Sequence, residues 1–135
     1  MSPRNEPLKG VKALVVVLGV HGGGVANAKW LVRHGATVTV TDERDRDKLA
    51  HSLAEFTQQE RKKIKFVLGG QREKDFRDAD MVILGPGVDK YGKWWKLARS
   101  LRKQIENDAT LFFRYSNNPV IAVYQDRHIE AKGLD

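Results

Sequence analysis

Cysteine is absent from the 135 residues, which excludes disulfides, thiolate metal sites and cysteine nucleophiles together. A chain of this length buries a sufficient core without cross-links, so the absence costs little stability. No apolar run approaches the roughly 20 residues of a membrane span. The opening Met-Ser-Pro-Arg-Asn-Glu-Pro lacks the apolar stretch of a secretory leader. No Gly-x-x-x-x-Gly-Lys-Ser/Thr phosphate loop occurs. His34, His51 and His128 have no partners at metal-ligand spacing, and no serine, histidine and acid form a nucleophilic constellation. Neither a metal site nor a catalytic residue is therefore expected. With 41% hydrophobic residues the chain is too apolar for disorder. A soluble, cytoplasmic, single-core protein without membrane contact is the expectation.

Charge of one sign is in excess: 24 Lys and Arg stand against 17 Asp and Glu, for a net +7. The excess gathers at Arg61, Lys62, Lys63 and Lys65, and again at Lys90, Lys93, Lys96, Arg99, Arg102 and Lys103. Such clusters suit a phosphate backbone. In the second cluster, however, basic residues alternate with a hydrophobic stripe, as on a solvated helix face. Nucleic acid is thus carried only as an alternative partner.

Short apolar runs alternate with helical segments. Residues 13–18 (Ala-Leu-Val-Val-Val-Leu) form a run without the polar alternation of a half-wet strand, as expected of a parallel strand covered on both faces. A glycine cluster follows. Val25, Ala28, Leu31 and Val32 then recur at helical spacing, and Gly35 stops that helix. Further strands are predicted at 37–41, ending at Asp42, and at 64–68, 81–84 and 120–123. Residues 105–107 are compatible with another short one. Leu49, Leu53 and Phe56 predict one helix finishing in Arg61–Lys63. Trp94, Leu97, Ala98, Leu101 and Ile105 predict the next, whereas 111–115 is ambiguous between strand and helix. This order predicts an α/β fold with a mostly parallel sheet and right-handed crossovers.

In such sheets ligands bind beyond the carboxyl ends of the strands. That rule selects residues 19–24, 42–44, 69–71 and 85–88. In the first, Gly19, Val20, His21, Gly22, Gly23 and Gly24 lead from strand to helix, where glycines let a ligand approach and helix-start N–H groups favour an anion. The turn departs from Gly-x-Gly-x-x-Gly, because Val17 stands where the leading glycine belongs. Phosphate or sugar-nucleotide binding is expected there, a ligand-free turn being the alternative. Asp42 suits a ribose hydroxyl or, alternatively, a helix N-cap. Arg44 beside it suits a base or a phosphate.

In this order, Val-Leu-Gly-Val-His-Gly-Gly-Gly, Gly-Ala-Thr-Val-Thr-Val-Thr-Asp, Phe-Val-Leu-Gly-Gly-Gln, Ala-Asp-Met-Val-Ile-Leu-Gly-Pro-Gly-Val and Asn-Pro-Val-Ile-Ala-Val resemble the N-terminal part of the Mur ligases. Within that family they resemble the branch that adds D-glutamate to UDP-N-acetylmuramoyl-L-alanine in peptidoglycan biosynthesis. The resemblance runs from about Leu8 to Val123. It implies a Rossmann-like, three-layer domain with about five strands that binds a UDP-sugar precursor. By position it implies Val20 and His21 beside the diphosphate, and Asp42, Glu43 and Arg44 at the uridine. Gly87 would lie near the uracil, with Gly85 in place of a serine. Val17 departs from this pattern, and residues 21–24 form a slightly longer turn.

Residues 8–116 are thus expected to form the binding domain, 117–123 the first strand of a central domain, and 124–135 a divergent tail. The family continues after that strand into an ATP phosphate loop and uses ATP and magnesium. Here Tyr124-Gln-Asp-Arg-His-Ile-Glu-Ala-Lys-Gly-Leu-Asp135 stands instead. The expectation is a truncated, inactive ligase domain without cofactor, whether from a broken reading frame or as a shortened binding protein. An uncovered sheet edge would permit self-association. The glycine turn and Asp42 also suit an NAD(H)-binding module, against which Val17, His21 and the lack of a hydride-transfer constellation count.

Overall fold

A computed structural model gives the structure of residues 7–19, 23–85 and 87–115. The unbroken apolar run near the N-terminus becomes β1 (Lys12–Val16), the centre of a five-stranded sheet. It pairs in parallel with β2 (Thr37–Asp42) on one side and β4 (Met81–Leu84) on the other. Beyond these lie β3 (Ile64–Leu68) and β5 (Gln104–Glu106), also parallel, so the order is β3-β2-β1-β4-β5. This is the Rossmann-like α/β architecture expected.

Because both faces of the sheet are covered, successive residues of β1 serve different cores. Ala13 and Val15 pack with Val38, Val40, Met81 and Ile83 under α1 (Gly23–Arg33), whose Val25, Ala28 and Leu31 face the sheet. Leu14 and Val16 pack on the opposite face with Val82 and Leu84. That face is roofed by Phe76 of α4 (Glu73–Asp78) and Ala98 of α5 (Lys93–Ser100). Phe76 is wholly buried and stacks on Trp94 at 4.9 Å. A strand buried on both sides has no use for polar alternation, which explains the composition of the run.

Several elements depart from the sequence-based expectations. β1 ends at Val16, two residues early, because Val17 takes φ +77° and leaves the strand. The single helix expected through residues 49–63 is two, α2 (Ala50–Leu53) and α3 (Gln58–Lys63). Thr57 separates them: its hydroxyl accepts from Glu60 N–H, and Glu60 Oε1 accepts from Thr57 N–H, a reciprocal capping box. α4, which shows little hydrophobic period, was not anticipated. Ile105 belongs to β5 and not to the stripe of α5, which ends at Ser100. The ambiguous stretch is helical, as α6 (Asp108–Tyr115). The strand expected at 120–123 and the segment 117–135 lie outside the described residues. Among those described, no helix is long and apolar enough to cross a membrane.

Candidate functional site

The strand order reverses between β1 and β4: from β1 the chain proceeds outward to β2 and β3, and from β4 to β5. Loops leaving the carboxyl ends on the two sides of such a seam diverge and leave a crevice. Here the crevice is a cleft of about 340 Å³, within the range of small-ligand sites. One rim is the turn after β1 with the start of α1, and the other is the turn after β4.

On the first rim, Gly19 takes φ +79°, a left-handed conformation that glycine adopts without strain. Gly23 opens α1, and a Cβ there would meet nothing within 4 Å among the described residues. Gly24 has a different task. A Cβ on it would lie 2.5 Å from the Leu18 carbonyl oxygen and 2.6 Å from Leu18 Cα. Its N–H donates to that carbonyl at 3.1 Å. Gly24 therefore lets the helix seat against the strand end. Val20, His21 and Gly22 lie outside the described residues.

On the second rim, Gly85 and Gly87 both line the cleft without a side chain, and Val88 N–H donates to Gly85 O to close the turn. Val17 rises between the rims: its Cγ1 lies 3.8 Å from where a Gly87 Cβ would stand. Asn27 on α1 and Asp108 at the start of α6 add polar groups that the sequence reading missed. Asp108 follows β5, so extending the strand-end rule to that short strand would have found it. Asn27 carries no such signal, lying one helical turn beyond Gly23.

The expected trio Asp42, Glu43 and Arg44 is divided by the structure. Asp42 is 1% exposed, beneath the cleft. Its Oδ2 accepts from Leu18 N–H at 2.9 Å and Gly19 N–H at 3.3 Å. Its Oδ1 accepts from Arg44 N–H at 2.9 Å and Arg44 Nε at 3.2 Å. Four bonds occupy the roughly four acceptor sites of a carboxylate, so Asp42 fixes the two loops that a ligand would touch. No helix starts at Asp42, and the alternative N-cap role is not realised. Glu43 is exposed and is not part of the cleft lining. Arg44 does line it, and its Nη groups have no partner among the described residues. Ser52 Oγ donates to Gly19 O at 2.7 Å, fixing the same turn from α2.

The remaining strand-end site, residues 69–71, does not reach the cleft. Gly69 N–H instead donates to the carbonyls of Asp42 and Arg44, tying the second loop to β3. His34 also has a structural place, with Nδ1 2.7 Å from the Trp30 carbonyl and its ring stacked on Trp30. Among the described residues no group of three metal-ligating side chains assembles. The basic residues of α5 are exposed, and Lys93 and Arg99 lie over Trp94 and Trp95.

A sequence model of the family described as Mur ligase MurD-like, N-terminal domain, matches residues 13–106. The chain is 42% identical over 116 residues to the UDP-N-acetylmuramoylalanine–D-glutamate ligase of Roseiflexus sp. (strain RS-1), covering 86% of this chain and 24% of that protein. It is 39% identical over 123 residues to the enzyme of the same name from Borreliella afzelii (strain PKo), covering 89% and 26%. The Treponema pallidum (strain Nichols) enzyme is 38% identical over 117 residues, covering 86% and 22%. The chain thus spans about a quarter of the length of the curated relatives it matches. Among solved structures, a pseudomurein peptide ligase type C from Methanothermus fervidus shares the fold at a TM-score of 0.56 and 21% identity, covering 76% of this chain and 20% of that one. The family match spans the sheet from Ala13 to Glu106, and the chain belongs to the Mur ligase MurD-like N-terminal domain family.

Proposed function

We propose that this chain binds a UDP-sugar precursor, UDP-N-acetylmuramoylalanine, in the cleft between β1 and β4. The observation that carries this reading is the cleft itself: a strand-reversal crevice with glycines on both rims and a partly exposed arginine. In this reading the start of α1 at Gly23 favours the diphosphate, whereas the N–H of Gly24 is already bound to Leu18 O. Arg44 directs its Nη groups to the uridine or to phosphate oxygens. Gly85 and Gly87 leave room for a flat base to approach backbone. Asp42 acts one step removed, by holding the Gly19 turn and Arg44. Residues 8–116 serve as the binding unit. The names of the relatives support the precursor as ligand.

As these 135 residues, the chain binds without activating a carboxylate, since they contain no lysine-bearing phosphate loop. Isothermal titration of the full chain with UDP-N-acetylmuramoylalanine, UDP and NADH tests the proposal. Saturable binding of the precursor and of UDP, with none of NADH, is the expected result. A folded chain that ignores both uridine ligands at millimolar concentration overturns it, and binding of NADH alone installs the dinucleotide alternative.

A further inference from the structure

Val17 occupies a conformation that belongs to glycine. At φ +77° a β-branched residue is a backbone outlier, and such outliers persist where neighbouring contacts fix them. The contacts are present. Val17 N–H donates to Thr41 O at 2.7 Å, and the next two amides donate to Asp42 Oδ2. Three successive N–H groups are thus bound to the end of β2, and the turn cannot relax without breaking them.

The consequence falls on the side chain. It packs against the α5-side core, as Val88 does, yet it also lines the cleft, with Cγ1 3.8 Å from where a Gly87 Cβ would stand. The rim after β4 is cleared by two glycines, whereas the rim after β1 carries an isopropyl group at the seam where the strand order reverses.

We infer that Val17 is a specificity-determining residue whose γ-methyl groups fill the floor of the cleft and limit how deeply a nucleoside diphosphate seats between β1 and β4. This rests on the nucleotide-sugar reading of the cleft. The relevant property is side-chain bulk, so Val17→Ala and Val17→Gly both deepen the site, whereas Val17→Ile crowds it further.

The test measures dissociation constants for UDP-N-acetylmuramoylalanine and for UDP by titration of the 135-residue wild type and the three variants, with folding checked by circular dichroism. The expected result is at least fivefold tighter binding by both V17A and V17G, and weaker binding by V17I. V17A decides the matter if V17G fails to fold, because alanine removes the γ-methyls and keeps a Cβ. A gain confined to V17G would assign the effect to the backbone turn and overturn the inference. Unchanged affinity across the series would overturn it as well, while wild-type binding upheld the nucleotide-sugar reading. If every variant is folded and none binds, both fall together.

Discussion

At the Asp42 carboxylate, four N–H groups from two loops converge on two buried oxygens. A residue with these partners is required by the unliganded fold. Asp42→Asn turns an NH2 group toward donors and strands at least one of them. It is expected to cost about 2 kcal/mol, the scale of losing charge-assisted bonds in a buried site. A urea titration without ligand reads this directly, and an unchanged midpoint would return Asp42 to the role of ligand reader. The glycines of the same turn make a matched pair. Gly24→Ala forces a Cβ to within 2.6 Å of backbone atoms and should destabilise by about 1–3 kcal/mol. Gly23→Ala, at the first position of α1, meets no described atom within 4 Å and should change stability by well under about 1 kcal/mol. Thermal melts of the two variants, moving in opposite directions or one moving alone, would separate packing from cleft lining.

Among the elements, the strands were legible and the helix boundaries were not, for reasons found at particular residues. β3 and β4 are short, apolar and ended by glycines, so their limits coincide with those expected. The break between α2 and α3 was hidden because Leu49, Leu53 and Phe56 keep a helical period up to Thr57, and the Thr-x-x-Glu signal was overlooked. Thr57→Ala is expected to cost about 1 kcal/mol. The backbone hydrogen bond from Thr57 holds the Glu60 carboxyl below its ordinary 4.5, with Lys29 nearby adding in the same direction. A lowered carboxyl contributes stability that is present above that ordinary value and is lost as pH falls through the lowered one. The stability difference between wild type and Glu60→Gln should therefore be present at pH 7 and vanish in acid; a constant difference from pH 7 to pH 3 would remove the electrostatic part. The end of α5 was concealed differently. Arg102 takes the left-handed cap conformation at φ +55° that a glycine would have announced, so the stripe was read on to Ile105. In the cleft, Gly19, Gly23, Gly24, Arg44, Gly85 and Gly87 were legible because strand ends mark them. Asn27 was not, because nothing in one helix reports which face borders a loop 60 residues away.

On the scale of the whole molecule, one sheet divides two cores, and neighbouring β1 residues commit to opposite ones. The cleft exists because the strand order turns at that same strand, so its rims are held by both cores: α1 by the first, and the turn after β4 by the second. A site supported in this way is fixed only if the two faces fold as one unit. Three tryptophans make this measurable. Trp30 packs against the α1 core, and Trp94 and Trp95 against the α5 core. A Trp30→Phe variant reports by fluorescence on the α5 face, and a Trp94→Phe/Trp95→Phe variant reports on the α1 face. In each, the fluorescence midpoint in urea should coincide with that of far-ultraviolet circular dichroism, as two-state unfolding requires. Leu14→Ala, made in each reporter background, removes volume from the second core only and should cost about 2–5 kcal/mol. If the sheet couples the faces, both reporters register that loss equally, including the one more than a strand's thickness away. A loss confined to the α5 reporter would show that the faces melt separately, and the two rims of the cleft would then not share a common support.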